Sequence, residues 1–443
     1  MVIRITSKWV QHKIFWALLI LPLSFKIQVL PGVLLLPQEF FLPILILFYF
    51  LLKKKIPLRL PKSVEPYLSL LGAVIIIVIS TLFSFINALD PIGLLKALKY
   101  GLYIFSLLLL FDYYDEKFLR RLNIVGICTI LLTLFIFISS KQSSGLSWNS
   151  FIRAATWIAE YMPTGFSNRV WNISEFVFTI GSNNHGIYGS YLVLLLILNI
   201  SNLINEKRFA ITSKLVIVLS LINILLLTSR ETFLLLFVVF ISYFFVKIIT
   251  KINIKRAFNF FTILCLVLLI AIPIMVYFEV ELSIFGKIEN TINGLKAGGD
   301  GSISARFKTW RIILNLFLSV PWLLLLGTGY NPTFFENKIR EYSYVVEGNY
   351  AIVPENLFLM FLSYGGIIAL VLLLYFFFKL YFEFRKMQNM SEANLIPFLI
   401  IGLFITNNTG GSMIADLFMV QLGLVYFYLM NKKKMLGEHT FNN

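Results

Sequence analysis

Runs of about twenty apolar residues recur along nearly the whole chain, parted by short basic segments, and this limits the possible folds more than any other feature of the sequence. A run of that length crosses a hydrocarbon core of roughly 30 Å as an α-helix. With no water in that core the backbone must satisfy its own donors and acceptors, so the runs are expected as helices. The strands of a β-barrel would alternate over about ten residues, and no such alternation is visible. Only 14% of the 443 residues are charged, against roughly 25% in a soluble protein, too few to solvate an exterior.

A net charge of +16 is compatible in principle with a nucleic-acid partner. The Lys and Arg lie mostly in short loops between apolar runs, which is the positive-inside pattern of a membrane protein, and nucleic acid is excluded on that ground. Cys128 and Cys265 both fall within expected spans, against a disulfide or metal site. Lys8 and Lys13 precede an apolar stretch with no small-residue cleavage site after it, so the stretch is expected to be retained as a first span.

The basic segments are Arg4–Lys13, Lys53–Lys62, Lys207–Lys214, Lys247–Arg256, Lys379–Lys386 and Lys432–Lys434. If each is cytoplasmic, an even number of spans separates every neighbouring pair. The expected spans are 14–32, 37–52, 67–87, 92–111, 122–139, 186–203, 215–229, 232–247, 258–278, 356–378, 394–408 and 412–430. The expected fold is therefore all-α: one polytopic membrane domain over 1–443, with about twelve spans and both termini cytoplasmic. Residues 140–185 and 279–355 form two large outer loops. In the second, Trp310–Leu326 is apolar but interrupted by Arg311, Asn315 and Pro321, and is expected as an interfacial or re-entrant helix rather than a span.

The same count forces a turn within residues 214–247, near Thr228-Ser229-Arg230-Glu231. Each arm would have about fifteen residues, roughly 22 Å of helix and short for a bilayer. The turn would then sit at headgroup depth, with Arg230 at the level of a lipid phosphate. Ionisable groups at such depths are functional candidates by default. A guanidinium offers fork-like donors to a phosphate. The alternative is an arginine snorkelling from the turn and paired with Glu231.

Arg306, Lys308 and Arg311 bring three cations to the approach of the apolar outer helix, a patch for an anionic headgroup or simply the basic flank of an interfacial helix. Gly327-Thr-Gly329-Tyr330 permits close backbone approach to a ligand, with Tyr330 as a binding candidate, and reads equally as an ordinary loop. Glu355-Asn356 opens the tenth span. Glu355 reads as a general base for a sugar hydroxyl or as an acidic helix-start residue. The helix terminus would lower its basicity and desolvation would raise it. Lys96 and Lys99 lie one turn apart near the outer end of the fourth span, either lining an anion cavity or snorkelling. His185 enters the sixth span, where a hydrogen-bonded structural role competes with a site role. The chain has no Walker motif, Asp-x-Asp site or His/Cys cluster with ligand spacing, so no metal or cofactor is expected.

Taken together, these residues resemble the family of bacterial O-antigen ligases and Wzy-type O-antigen or capsule polymerases. The resemblance concentrates in residues 180–375. Ser229-Arg230-Glu231-Thr232-Phe233-Leu234 is similar to an Arg-x-x-x-Leu element after an outer turn. Ser304-Ala-Arg306 with Trp310, Pro321 and Gly327-Thr-Gly329 resembles the large-loop pattern. Glu355-Asn356, nine residues and Gly366 match the spacing of a tenth-span motif, with Glu where ligases carry His. The resemblance implies a glycosyltransferase of the bacterial cytoplasmic membrane acting on undecaprenyl-diphosphate-linked donor and acceptor glycans, without metal and with inversion. Arg230 and Arg306 would bind the diphosphate and Glu355 would be the base. Asn356, Tyr330, Arg311, Lys308, Lys96, Lys99 and His185 would contact substrate, and a chain-length regulator would be a partner. Glu in place of His favours a polymerase over a ligase. A flippase or transporter without chemistry is the competing class, disfavoured because the notable charges lie at the outer face rather than mid-membrane.

Overall fold

A computed structural model of the protein describes residues 6–24, 27–30, 33–53, 61–83, 91–139, 185–205, 210–227, 229–249, 302–330, 356–388, 390–407 and 416–440. Glu355, Cys265, the expected span 258–278 and the expected outer loop up to residue 184 lie outside the described residues. Helices account for nearly all of what is described: α1 (Ser7–Leu19), α2 (Pro37–Leu52), α3 (Glu65–Leu82), α4 (Pro91–Leu108), α5 (Phe118–Ser139), α6 (His185–Asn205), α7 (Ala210–Leu227), α8 (Arg230–Ile249), α9 (Ser302–Ser319), α10 (Trp322–Leu326), α11 (Leu357–Lys386), α12 (Ile396–Thr406) and α13 (Asp416–Thr440). The one departure is a short antiparallel hairpin, β1 (Ile27–Leu30) with β2 (Val33–Leu35).

The hairpin corrects the expected first span. Helix α1 ends at Leu19, where Pro22 follows within one turn, and the apolar residues beyond it pair as strands around Pro31-Gly32. Proline removes a helical donor and the Pro-Gly pair favours a turn, so an apolar run broken this way satisfies its backbone across strands. Elsewhere among the described residues the apolar runs do become helices. The break at residues 228–229 falls where charge alternation requires it, between α7 and α8. Both arms are longer than expected, at 18 and 20 residues.

Two helical segments among the described residues, Lys62–Leu82 and Leu357–Lys386, are each long and apolar enough to cross a membrane, and five further apolar helices are shorter. Burial sorts them. Helix α6 is central: every residue from Tyr188 to Leu198 is buried, the mark of a helix enclosed on all sides. It packs against α7, α8, α12 and α13. Helix α2 shows the opposite pattern, exposing Phe40, Phe41, Ile44, Leu47, Phe48 and Leu51 along its outside. A contiguous apolar exterior of that kind suits lipid rather than water.

Some polar residues inside the bundle are paired across helices. Asn123 on α5 and Asn199 on α6 exchange amide hydrogen bonds of 2.7 and 2.9 Å. Glu39, in the first turn of α2, accepts from the Leu36 N–H at 3.0 Å and from the Tyr103 hydroxyl at 2.7 Å, while the Lys99 ammonium stands 3.0 Å away. Charge buried in an apolar interior is retained only with such partners.

Candidate functional site

The site lies at the end of the bundle where α3 finishes and α4 and α11 begin. Helix α9 buries Thr309, Ile312, Ile313, Leu316 and Phe317, the spacing of one helical face. Its apolar stripe closes with Leu323 of α10 on Leu362 of α11. Pro321 ends α9 and starts α10, so the apolar stretch after residue 310 is two helices rather than one. Among the described residues of this stretch, Leu314 and Leu318 remain exposed. One face is packed and the other open, an amphipathic arrangement.

After α10 the chain makes a backbone interlock. Gly327, Gly329 and Gly366 have φ of 68°, 71° and 68°, a region that only glycine enters without strain. Gly366 breaks α11 internally. The break frees the carbonyls of Ser363 and Tyr364, and these accept from the N–H groups of Thr328 (2.7 Å) and Gly329 (3.0 Å). The Thr328 hydroxyl also donates to Ser363 at 3.0 Å. On the other side Tyr330 N–H donates to the Thr81 hydroxyl at 2.7 Å, and the Ser80 hydroxyl donates to the Leu326 carbonyl. The segment 326–330 is therefore clamped between the end of α3 and the kink of α11. Close approach at these glycines is spent on protein backbone.

Beneath this loop is an apolar cavity of about 40 Å³ between α3, α4, α11 and α13, whose lining includes Ala97, Tyr100, Tyr330, Leu357 and Tyr364. The rings of Tyr330 and Tyr364 are 4.8 Å apart and those of Tyr330 and Tyr100 are 6.2 Å apart.

The start of α11 is tightly tied. Asn356 is its N-cap: the side-chain oxygen accepts from the N–H groups of Phe358 (2.9 Å) and Leu359 (3.1 Å). The Leu357 N–H donates to the Asn407 carbonyl at the end of α12, at 3.0 Å. The neighbouring elements converge on the same end. Helix α12 packs through Gly402 on Leu235 of α8, and α8 opens at Arg230, capped by the buried Ser229, whose hydroxyl accepts from the Thr232 N–H at 3.4 Å. Thr232 lies against Gly189 of α6, the helix that opens at His185.

The structure thus brings Tyr330 and Leu357, the residue after the Asn356 cap, to the wall of one cavity, and puts Arg230 and His185 at adjoining helix starts. Arg306 and Lys308 fall in the opening turns of α9, and Arg311 is exposed farther along it. Lys96 is exposed on α4. Lys99 is engaged by Glu39. Sequence reading missed Glu39, although a lone acid in the first turn of an apolar helix signals it. It also missed Ser80, Thr81 and Thr328, polar residues whose docking role depends on φ angles that no sequence displays.

A family model described as O-antigen ligase matches residues 215–374, a little over a third of the chain, from α7 to the middle of α11. No curated protein matches the chain.

Proposed function

We propose that the protein is a membrane glycosyltransferase that polymerises undecaprenyl-diphosphate-linked repeat units at the outer face of a bacterial cytoplasmic membrane. The supporting observation is that the matched region contains the helix starts and clamped loop that converge on the opening of α11. In this reading Arg230 and Arg306 hold the donor diphosphate. An acceptor hydroxyl attacks the anomeric carbon of the donor sugar while Glu355 takes its proton. The bond from that carbon to the diphosphate oxygen breaks, and the electron pair leaves with undecaprenyl diphosphate. The two guanidinium groups stabilise that charge. One displacement inverts the anomeric centre and needs no metal. Lys308, Arg311 and Lys96 extend the anion-binding surface, while Tyr330 and Asn356 border it. A chain-length regulator would meet the protein as a partner.

The capping of α11 bears on whether Glu355 can be a base. The first-turn N–H groups of Leu357, Phe358 and Leu359 are taken by the Asn407 carbonyl and the Asn356 side chain. Those donors are therefore engaged within the protein at the helix start that Glu355 precedes in sequence. Replacing Glu355 by Gln should abolish product while substrate binding persists; retained turnover would remove Glu355 from the role.

The description of the matching model keeps a second reading in play, a ligase that moves the finished glycan to a lipid A core or another acceptor. Purified protein given only undecaprenyl-diphosphate repeat units separates the two. A ladder of products supports polymerisation, and product only after a second kind of acceptor is added supports ligation.

A further inference from the structure

We propose that the interlock of Gly327, Gly329 and Gly366 sets the spacing between α9, which carries Arg306, Lys308 and Arg311, and the start of α11, where Glu355 precedes the cap. Gly366 and Gly327 are then positioning residues for sugar transfer, a role that rests on the reading above. A Cβ at Gly366 would stand 2.1 Å from the Leu325 carbonyl oxygen and 2.3 Å from its carbon. One at Gly327 would stand 2.6 Å from the Tyr364 carbonyl carbon, and one at Gly329 2.5 Å from the Thr81 Cα. Each obstacle is backbone, so no side-chain rotation relieves it.

A type I turn needs no residue at positive φ and a type II turn needs one. Here Gly327 meets Gly366 backbone to backbone, Gly329 packs on the Thr81 backbone, and the N–H groups of Thr328 and Gly329 are bonded to Ser363 and Tyr364, which together specify a distance. The same half of α11 also receives the apolar stripe of α9 at Leu362, so the cation-bearing helix is anchored there at two points. In this arrangement the outer helix is a fixed bracket. Adding a methyl at Gly366 requires the contact to open from 2.1 Å to the ordinary range above 3.4 Å. A misplacement of about 1 Å at reacting groups costs roughly 100-fold in rate.

The test uses the full chain with Cys128 and Cys265 replaced by Ser, spin-labelled at Leu318 on α9 and Ile368 on α11, both exposed. Distances are measured in detergent, and turnover is measured with undecaprenyl-diphosphate repeat units. Gly366→Ala should broaden the distance distribution and lower kcat by about 100-fold with KM near that of the parent. Ser80→Ala, which removes only the hydroxyl bond to Leu326, should act in the same direction by about fivefold and covers the case in which Gly366→Ala fails to fold. Lost kcat with an unchanged distribution overturns the spacing role, and so does a broadened distribution with full kcat. If the parent makes no glycan product while Gly366→Ala still broadens the distribution, the transfer reading falls and the spacing stands.

Discussion

Replacing Glu39 by Ala tests whether the buried charge pair holds α2 to α4. The carboxylate receives the Leu36 N–H, the Tyr103 hydroxyl and the Lys99 ammonium, and its side chain is 4% exposed against 17% for Lys99. Removing one partner of a buried pair costs about 3–5 kcal/mol because the other charge is stranded. Lys99 keeps some access to the surface, which moves the expectation to the lower end, about 3 kcal/mol. Lys99→Met should cost a similar amount by stranding the carboxylate. The double variant should cost clearly less than the two added together, because neither charge is left behind. Unfolding in mixed micelles with rising sodium dodecyl sulfate, followed by helical ellipticity, measures all four proteins. The argument fails if Glu39→Ala stays within about 0.5 kcal/mol of the parent, the scale of a surface change. Strict additivity in the cycle would also refute it.

Gly189→Ala would place a methyl 1.7 Å from the Thr232 hydroxyl and should destabilise the same unfolding transition by about 1–3 kcal/mol. Adding Thr232→Ala should restore part of the loss, and no rescue would mean that the α6–α8 contact is misjudged. Asn199→Leu leaves Asn123 buried without its partner and should cost about 1–2 kcal/mol, whereas the double change to Leu at 123 and 199 should lie nearer neutral in the same titration. Burial, reinforced by Asp115, pushes the Tyr113 hydroxyl up to about 12. The folded state then holds this proton more tightly than the unfolded one, so the contribution is present below pH 10 and is lost as pH rises from 10 to 12. Unfolding followed from pH 9 to 12 should show an extra loss of stability in the parent relative to Tyr113→Phe.

Helices α2 to α8 and α11 to α13 were legible from apolar runs, because a long unbroken run has few alternatives to helix. The break before Arg230 was legible only through charge, since α7 and α8 together read as one continuous apolar stretch. The first run misled because hydropathy is blind to how the backbone bonds; Pro22 and Pro31-Gly32 carried the signal for the hairpin. At the site, the helix starts at Arg230 and Asn356 could be placed from sequence. That Lys99 is bonded to Glu39 could not, because the pair joins residues from separate helices. Gly327, Gly329 and Gly366 stood out as residues, but the meeting of Gly327 with Gly366 depends on a helix breaking at its tenth residue, which the apolar pattern around Gly366 gives no reason to expect.

The break in α11 makes the segment 326–330 a part of the helical bundle rather than an appendage to it. It lies roughly 13 Å along α11 from its start, a depth where lipid cannot hydrate the carbonyls of Ser363 and Tyr364. Thr328 and Gly329 take the place of solvent there. Residues 326–330 therefore serve as a resident water substitute for an interrupted helix, and peeling them away would leave a wound in the bundle. Variation between α9 and α11 is expected to be tolerated on either side of those five positions and resisted within them.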